Sequence, residues 1–249
     1  GRVRNGHANR PSPTGRAKTR RIMNWKLKAL VQTAVSWLPA KASYAAYYWI
    51  QRRYGSLVKM DPQSRLLAGI GGWRLIQQQG VDPRGKVFME VGTGRVPLVP
   101  LSYWLMGAEK IITVDLNPYL SGELIGQALQ HMAAHKEETA GWFGPLLDRA
   151  RFRTLLDFAA RPGWSSGDFL DLCSIDYQSP ADAGAMALPA GSIDFHTSYT
   201  VLEHIPPAEL RNILAEGARL LRPGGLLAHH IDLSDHFSHT DRSISAVNF

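Results

Sequence analysis

From position 61 onward the chain alternates between segments with helical hydrophobic spacing and short apolar runs. The spacing predicts a first helix over residues 63–79. The apolar runs predict five strands, at Lys86–Val91, Lys110–Asp115, Cys173–Tyr177, Ser192–Ser198 and Leu226–Ile231. Strands that alternate with helices are typical of a parallel sheet covered by helices on both faces. The pattern therefore predicts an α/β fold with a doubly wound, mostly parallel sheet.

Helices are predicted in the gaps between these strands, at Pro97–Met106, Ser121–His135 and Pro207–Leu221. The last has clear ends, because Pro206 suits a helix N-terminus and residues 222–225 supply a breaker and a tight turn. Residues 140–167 form an additional segment rich in aromatic residues, which the alternating pattern does not require. We interpret it as a helical insertion, either a substrate lid or added core.

The first 60 residues follow a different pattern from the domain predicted over residues 61–249. Residues 1–21 are rich in Arg and predict a basic, disordered tail, with a transit peptide as the alternative. Residues 22–60 predict an amphipathic helical extension, in which Tyr47, Tyr48 and Trp49 precede two arginines. This composition suits either peripheral contact with a membrane surface or packing against the following domain.

Charge separates the same two parts of the chain. Residues 1–60 hold 13 Lys or Arg and no Asp or Glu, whereas residues 61–249 hold 15 basic and 21 acidic residues. A basic arm attracts polyanions, but an acidic body disfavours a groove that follows nucleic-acid phosphates. We therefore expect a small-molecule or lipid-linked partner and no nucleic acid.

Cysteine usage and hydropathy bear on location. The single Cys173 has no partner for an intrachain disulfide. No run reaches 18 uninterrupted apolar residues, which disfavours a membrane-spanning helix. These features predict a cytoplasmic location, at the inner face of the membrane if residues 22–60 contact it.

A glycine turn follows the first predicted strand. Residues 87–94 read Val-Phe-Met-Glu-Val-Gly-Thr-Gly, an apolar strand that runs into a turn and then a helix. Gly92 and Gly94 permit close approach of a ligand, and the helix N-terminus offers backbone N–H donors. A dinucleotide fingerprint would place a third glycine at position 97, where Pro97 stands. The turn predicts a nucleotide-containing cofactor, or simply a tight connection between strand and helix.

Asp115 ends the second predicted strand, 23 positions after Gly92. A carboxylate at this edge of the sheet can accept hydrogen bonds from two ribose hydroxyls. The same geometry serves nicotinamide cofactors, and Asp115 could also cap the next helix. Asp115 therefore indicates an adenosine ribose without choosing the cofactor.

Five short motifs occur in order along the domain: Glu90-Val91-Gly92-Thr93-Gly94, Val114-Asp115, Ala181-Asp182-Ala183 before Leu188-Pro189, Val201-Leu202-Glu203-His204-Ile205, and Leu221-Arg222-Pro223-Gly224-Gly225. Together they resemble the class I S-adenosylmethionine-dependent methyltransferases, over residues 85–248. Residues 230–237 resemble a bacterial branch associated with cell-surface saccharide synthesis. The resemblance implies a Rossmann-like sheet with two strands after the fifth, so we expect the domain to be C-terminally incomplete.

The resemblance also implies S-adenosylmethionine as cofactor and ten residues around it: Glu90, Gly92, Thr93, Gly94, Asp115, Leu116, Asp182, Ala183, Ser198 and Tyr199. Glu90 would orient the methionine amino group, while the glycine turn cradles the methionine part. Asp115 would hold the ribose, and Asp182 and Ala183 would bind the edge of the adenine. Ser198 to Thr200 would line the pocket beyond the fourth strand.

Methyl transfer needs alignment of a nucleophile and exclusion of water, and a hydroxyl acceptor also benefits from a base. His204 and His230 are the candidate bases, because both follow strands at their carboxyl ends and imidazole titrates near neutral pH. Asp232 could orient a histidine. The reaction needs no metal, and the histidines and carboxylates of residues 229–239 match no zinc motif, so we predict none.

The sequence analysis thus predicts methyl transfer from S-adenosylmethionine to a small or lipid-linked acceptor, with a saccharide hydroxyl as the leading candidate. Two alternatives stay open, a nicotinamide-dependent oxidoreductase and a non-catalytic protein that kept the cofactor site. A third, nucleic-acid methylation guided by the basic arm, is disfavoured by the acidic body. The sequence does not specify an oligomeric state.

Overall fold

The computed structural model describes residues 37, 46, 48–50, 52–53, 61–234, 245 and 247. The predicted tail of residues 1–21 and most of the predicted extension over residues 22–60 lie outside the described residues. Residues 48–50, 52 and 53 are helical, within a unit that spans residues 48–233. No helix among the described residues is both long and apolar enough to cross a membrane.

The described elements follow one another along the chain in the predicted alternation. The helices are α1 (Gln63–Gln78), α2 (Leu98–Leu105), α3 (Gly122–Ala134), α4 (Lys136–Phe143), α5 (Arg149–Ala159), α6 (Ser166–Leu172) and α7 (Pro207–Leu220), with short 3₁₀ turns at Gly144–Leu146 and Leu202–His204. The strands are β1 (Val87–Val91), β2 (Lys110–Val114), β3 (Ile175–Gln178), β4 (Ile193–Tyr199) and β5 (Leu221–His230).

The five strands form one parallel sheet in the order β3-β2-β1-β4-β5. This order confirms the predicted doubly wound α/β fold, because β1 lies in the middle and the chain winds outward in both directions. The fifth strand begins at Leu221, five residues before the predicted start, and it includes Pro223. Proline is tolerated there because β5 pairs with β4 alone among the described strands, which leaves its other edge without a ladder to maintain.

Two apolar clusters cover the two faces of the sheet. On one face Phe88 of β1 stacks between Trp73 of α1 and Tyr103 of α2, with ring centroids 5.7 and 4.4 Å away. On the other face Met89 and its neighbours in the sheet pack against α7, which contributes Ile213. Alternate side chains of each strand enter opposite clusters, as expected for a sheet buried on both faces.

The predicted insertion is helical, and its aromatic residues belong to the core. Helices α4, α5 and α6 span residues 136–172, somewhat more than the predicted 140–167. Phe143, Phe152 and Phe158 are buried in the same cluster as Phe88. The described structure therefore favours added core over a lid for this segment.

A buried carboxylate ties the strands together at the amino end of the sheet. Asp194 of β4 accepts a hydrogen bond from the Val87 backbone N–H and one from the Arg222 guanidinium, both at 2.9 Å. Because Val87 starts β1 and Arg222 lies in β5, this one side chain joins three neighbouring strands.

Candidate functional site

A cavity of about 720 Å³ opens at the carboxyl ends of β1, β2 and β4. Among the residues that line it are nine of the ten predicted cofactor residues and one predicted base: Glu90, Gly92, Thr93, Gly94, Asp115, Leu116, Asp182, Ala183, Tyr199 and His204. Parallel strands bring their carboxyl ends to one edge of the sheet. The strand order reverses between β1 and β4, and open α/β sheets bind ligands at such a switch point. A volume of this size is typical of sites for small molecules.

The glycine turn after β1 approaches the loop after β4 so closely that a side chain would not fit. Gly92 has a φ of +90°, and a Cβ atom built on it would lie 2.4 Å from Cγ2 of Val201. Its backbone N–H donates to the Val114 carbonyl at 2.8 Å. Gly94 has a φ of +66°, and its N–H donates to the Asp115 carboxylate at 2.9 Å. Gly92 therefore packs directly against Val201, whereas the space around a Cβ atom at Gly94 is empty.

Glu90 is the most buried carboxyl group of the cavity, with 2% of its surface exposed. Burial raises its pKa to about 8, although the nearby Arg65 guanidinium and a weak hydrogen bond from Thr113 act in the opposite direction. Thr113 in turn shares a 2.7 Å hydroxyl contact with Thr93 of the glycine turn. A cationic ligand group would favour the ionised form of Glu90, since it replaces part of the lost solvation.

Asp115 and Asp182, to which the resemblance assigns the ribose and the adenine, both line the cavity. Each oxygen of Asp115 accepts a backbone N–H, from Gly94 at 2.9 Å and from Asn117 at 3.1 Å. Helix α3 is capped by Ser121, so Asp115 does not serve as its cap. Asp182 is exposed and accepts the Gly184 N–H at 2.8 Å. An ionised carboxylate has about four acceptor positions, so both retain capacity for a ligand.

Ser198 lies next to the cavity but is not among its lining residues. Its hydroxyl is 2.8 Å from Nδ1 of His229, and Nε2 of that ring is 3.2 Å from Nδ1 of His196. His196 is fully buried, and its ring packs closely against Gly217 of α7. The ring fits there because Gly217 has no side chain. Burial lowers the pKa of His196 to about 4, and His229 adds to this effect.

The structure separates the two histidines that the sequence analysis treated alike. His204 lines the cavity and is exposed. His230 is not among the lining residues, and its ring stacks on Tyr199 with centroids 4.7 Å apart. Asp232 is partly buried and also stands outside the lining set. Within the described part of the chain, no three His, Cys, Asp or Glu side chains converge as a metal site would require; His236 and His239 lie outside it.

Other cavity residues were missed by the sequence analysis. Arg65 reaches the cavity from α1, and Arg95 follows the glycine turn directly. The Arg95 guanidinium lies 4.4 Å from the ring centroid of Tyr48 and 5.5 Å from that of Tyr119. The position of Arg95 beside the turn was a signal in the sequence, whereas nothing local marked Arg65.

The helical residues 48–50, 52 and 53 thus reach the rim of the cavity. Arg52 forms an ion pair with Glu123 of α3 and donates to Gln127 at 3.1 Å. Together with the stacking of Tyr48 on Arg95, these contacts favour packing on the domain for this part of the predicted extension. Trp49, by contrast, is 60% exposed.

Comparison with known proteins finds a similarity to one protein family in part of the chain. Residues 166–229 match the model of a methyltransferase domain. The matched segment runs from α6 to β5 and includes the Asp182-Ala183 pair and the loop that contains His204. The match agrees with the predicted methyltransferase domain over these residues. No relative was found among curated protein sequences.

Solved structures similar to this chain share little sequence with it. The PH0226 protein from Pyrococcus horikoshii is 14% identical, with a TM-score of 0.41, over 76% of this chain and 66% of that one. The YcgJ protein from Bacillus subtilis is 14% identical, with a TM-score of 0.39, over 70% and 55%. An S-adenosylmethionine-dependent methyltransferase from Mesorhizobium loti is 16% identical, with a TM-score of 0.35, over 67% and 56%. The chain thus spans between about half and two thirds of the length of these structures.

Proposed function

We propose that the chain transfers a methyl group from S-adenosylmethionine to a hydroxyl oxygen of a small or lipid-linked acceptor, with a saccharide as the leading class. The observation that carries the proposal is the cavity itself. It gathers Glu90, Gly92, Asp115 and Asp182, which are far apart in the sequence, around one space of about 720 Å³. These are the residue types that an amino-acid group, a ribose and an adenine require.

The residues present fit this cofactor. Gly92 cannot carry a side chain, because a Cβ atom there would overlap Val201, and the buried Glu90 forms no ion pair among the residues described. Glu90 and the glycine turn would hold the methionine part, Asp115 the ribose, and Asp182 with the Ala183 N–H the adenine. S-adenosylmethionine supplies a methyl group that its positively charged sulfur makes electrophilic. The chain's own task is to align the acceptor and exclude water.

His204 is the base that the geometry favours. A hydroxyl acceptor must lose its proton as the new bond forms, and an imidazole at the cavity wall can receive it. His204 lines the cavity, whereas His230 stacks on Tyr199 and Asp232 stands outside the lining set. In this proposal His204 receives the proton at a ring nitrogen, and His230 has a different task.

The charge distribution supports a small or lipid-linked acceptor. Residues 61–249 carry more acidic than basic residues, which disfavours a long nucleic-acid track across the domain. The exposed Trp49 and Arg53 lie on the helical segment whose other side meets the cavity rim. An aromatic ring beside a cation suits the interface of a membrane, where a lipid-linked acceptor would be presented.

The first experiment is calorimetric titration with S-adenosylmethionine. The wild-type chain should bind it, and Asp115→Ala should weaken binding about 10- to 100-fold, since hydrogen bonds to a charged group are lost. Asp157→Ala, an exposed carboxylate on α5 outside the cavity, is the matched control. A folded wild-type chain that binds nicotinamide cofactors and not S-adenosylmethionine would overturn the proposal.

The second experiment identifies the acceptor. Transfer of a labelled methyl group is followed with free saccharides, lipid-linked saccharides and oligonucleotides as acceptors. His204→Gln should lower kcat strongly while cofactor affinity stays unchanged, and the exposed His135→Gln should behave as wild type. Cofactor binding without transfer to any acceptor would support the non-catalytic alternative, and methylation of the oligonucleotides alone would reject the proposed acceptor class.

A further inference from the structure

Arg65 is a cavity residue to which the proposed function assigns no task. It lies on α1, near the N-terminal end of the helix, and lines the cavity. Its Nη1 donates to Oγ1 of Thr200 at 3.2 Å, and its guanidinium carbon lies 5.1 Å from the ring centroid of Tyr199. A long, exposed side chain is thus held by two neighbouring residues at the end of β4.

Those two residues are themselves fixed by the end of β5. Tyr199 stacks on the His230 ring with an angle of 24° between the planes. The Thr200 backbone N–H donates to the His230 carbonyl at 2.9 Å. Thr200 also has a φ of +51°, an unfavourable conformation for a β-branched residue that is kept where surrounding contacts hold it. Arg65, Tyr199 and His230 therefore form a layered stack, the guanidinium stack, with the cation at the cavity.

The charge of Arg65 has no acidic partner in an ion pair within the described residues. Glu90 is close enough for its titration to be influenced by Arg65, but burial keeps the Glu90 pKa well above its ordinary value. Near neutral pH the cavity thus presents a permanent cation beside a mostly protonated carboxyl group. Such a site carries one positive charge that an anionic ligand group would neutralise.

An α-amino acid group carries an ammonium and a carboxylate on the same carbon atom. Its ideal receptor offers a carboxyl group and a guanidinium side by side, because arginine matches the planar carboxylate with two parallel N–H donors. Glu90 and Arg65 provide this pair at one end of the cavity. The methionine part of the proposed cofactor is such a group.

We propose that Arg65 binds the carboxylate of the methionine part of S-adenosylmethionine, opposite Glu90, and that Tyr199 and His230 position its guanidinium. The inference rests on the proposed function, because it assumes this cofactor. It gives His230 a positioning role in the guanidinium stack instead of a role as base. An anionic group on the acceptor has the same chemistry as the cofactor carboxylate, so the test must separate the two sources.

The test compares two ligands that differ in the carboxylate alone, S-adenosylmethionine and decarboxylated S-adenosylmethionine, by calorimetric titration. Arg65→Gln should weaken binding of S-adenosylmethionine about 10- to 100-fold, the effect of losing a charge-assisted pair. The same variant should bind the decarboxylated ligand within about twofold of wild type. The S-adenosylmethionine affinity of Arg65→Lys should lie between those of wild type and Arg65→Gln, since lysine keeps the charge but loses the bidentate geometry. Arg74→Gln, an exposed arginine on the same helix, is the matched control.

The positioning role has its own readout. Tyr199→Phe keeps the ring of the guanidinium stack and should retain S-adenosylmethionine affinity. Tyr199→Leu removes the ring and should lower this affinity several-fold. The decarboxylated ligand should be insensitive to both variants. Thermal unfolding of each variant shows whether a loss of affinity reflects a loss of folding.

Two results would overturn the inference while leaving the proposed function intact. Arg65→Gln could bind S-adenosylmethionine as wild type does and show a raised KM for acidic acceptors alone, which would assign the anion to the acceptor. Arg65→Gln could also weaken the binding of both ligands equally, which would make Arg65 a structural residue. Failure of the wild-type chain to bind S-adenosylmethionine would instead reject the proposed function, and this inference with it.

Discussion

The raised pKa of Glu90 predicts a steep dependence of cofactor affinity on pH. Burial raises this pKa to about 8, so the carboxyl group is mostly protonated in the free protein at pH 7. The proposed ligand group beside it is an ammonium, which favours the carboxylate. Binding must then release a proton, and affinity should rise with pH as long as pH stays below the pKa.

The magnitude follows from the fraction of Glu90 that is ionised. Between pH 5.5 and 7 that fraction rises about thirtyfold for a pKa of about 8, which corresponds to about 2 kcal/mol of binding free energy. An α-amino group has an ordinary pKa of about 7.7 to 8, so the ligand keeps its charge through this range. Affinity for S-adenosylmethionine should therefore increase by about one order of magnitude or more.

The assay is calorimetric titration at several pH values, each in two buffers with different ionisation enthalpies. Near pH 6.5 the wild-type chain should release close to one proton per bound ligand. Glu90→Gln should bind more weakly at pH 7 and lose this dependence, while the exposed Glu109→Gln should keep it. His204 and Asp115 also line the cavity, and the comparison between variants separates the share of Glu90 from theirs. An equal pH dependence in wild type and Glu90→Gln would refute the reasoning.

Three further predictions concern the scaffold around the site. Gly92→Ala should abolish cofactor binding and lower the free energy of unfolding by about 2 kcal/mol. Adding Val201→Ala should restore binding and stability only in part, because it removes the clash but φ at position 92 stays positive. Calorimetric titration and thermal unfolding test this. His196 has a pKa lowered to about 4, below its unfolded value, so the stability it contributes is present above pH 6.5 and is lost toward pH 4, on the order of 3 kcal/mol. Denaturant unfolding at both pH values should show a smaller loss for His196→Asn. Asp194→Ala should cost about 2 to 3 kcal/mol in denaturant unfolding at neutral pH, since it orphans the Val87 N–H and unpairs Arg222; an unchanged midpoint would refute its role as a tie between strands.

The sequence by itself determined the order of the elements and much of the cavity. Apolar runs marked five strands to within a few residues, apart from the early start of β5. The sequence alone was enough to assign the glycine turn and Asp115 to one site, because residues that end parallel strands meet at one edge of the sheet. The residue type alone also predicted the backbone at Gly92 and Gly94, because both glycines adopt a positive φ.

Tertiary structure alone decided which side chains face the cavity. Ser198 and Tyr199 are adjacent in sequence, yet one bonds to His229 and the other lines the cavity, because successive side chains of a strand point to opposite faces. Arg65 reaches the site only because α1 packs beside the end of β4, a contact across 135 positions of sequence. Such long-range placement depends on how helices pack on the sheet, and no local pattern of hydrophobic and polar residues encodes it.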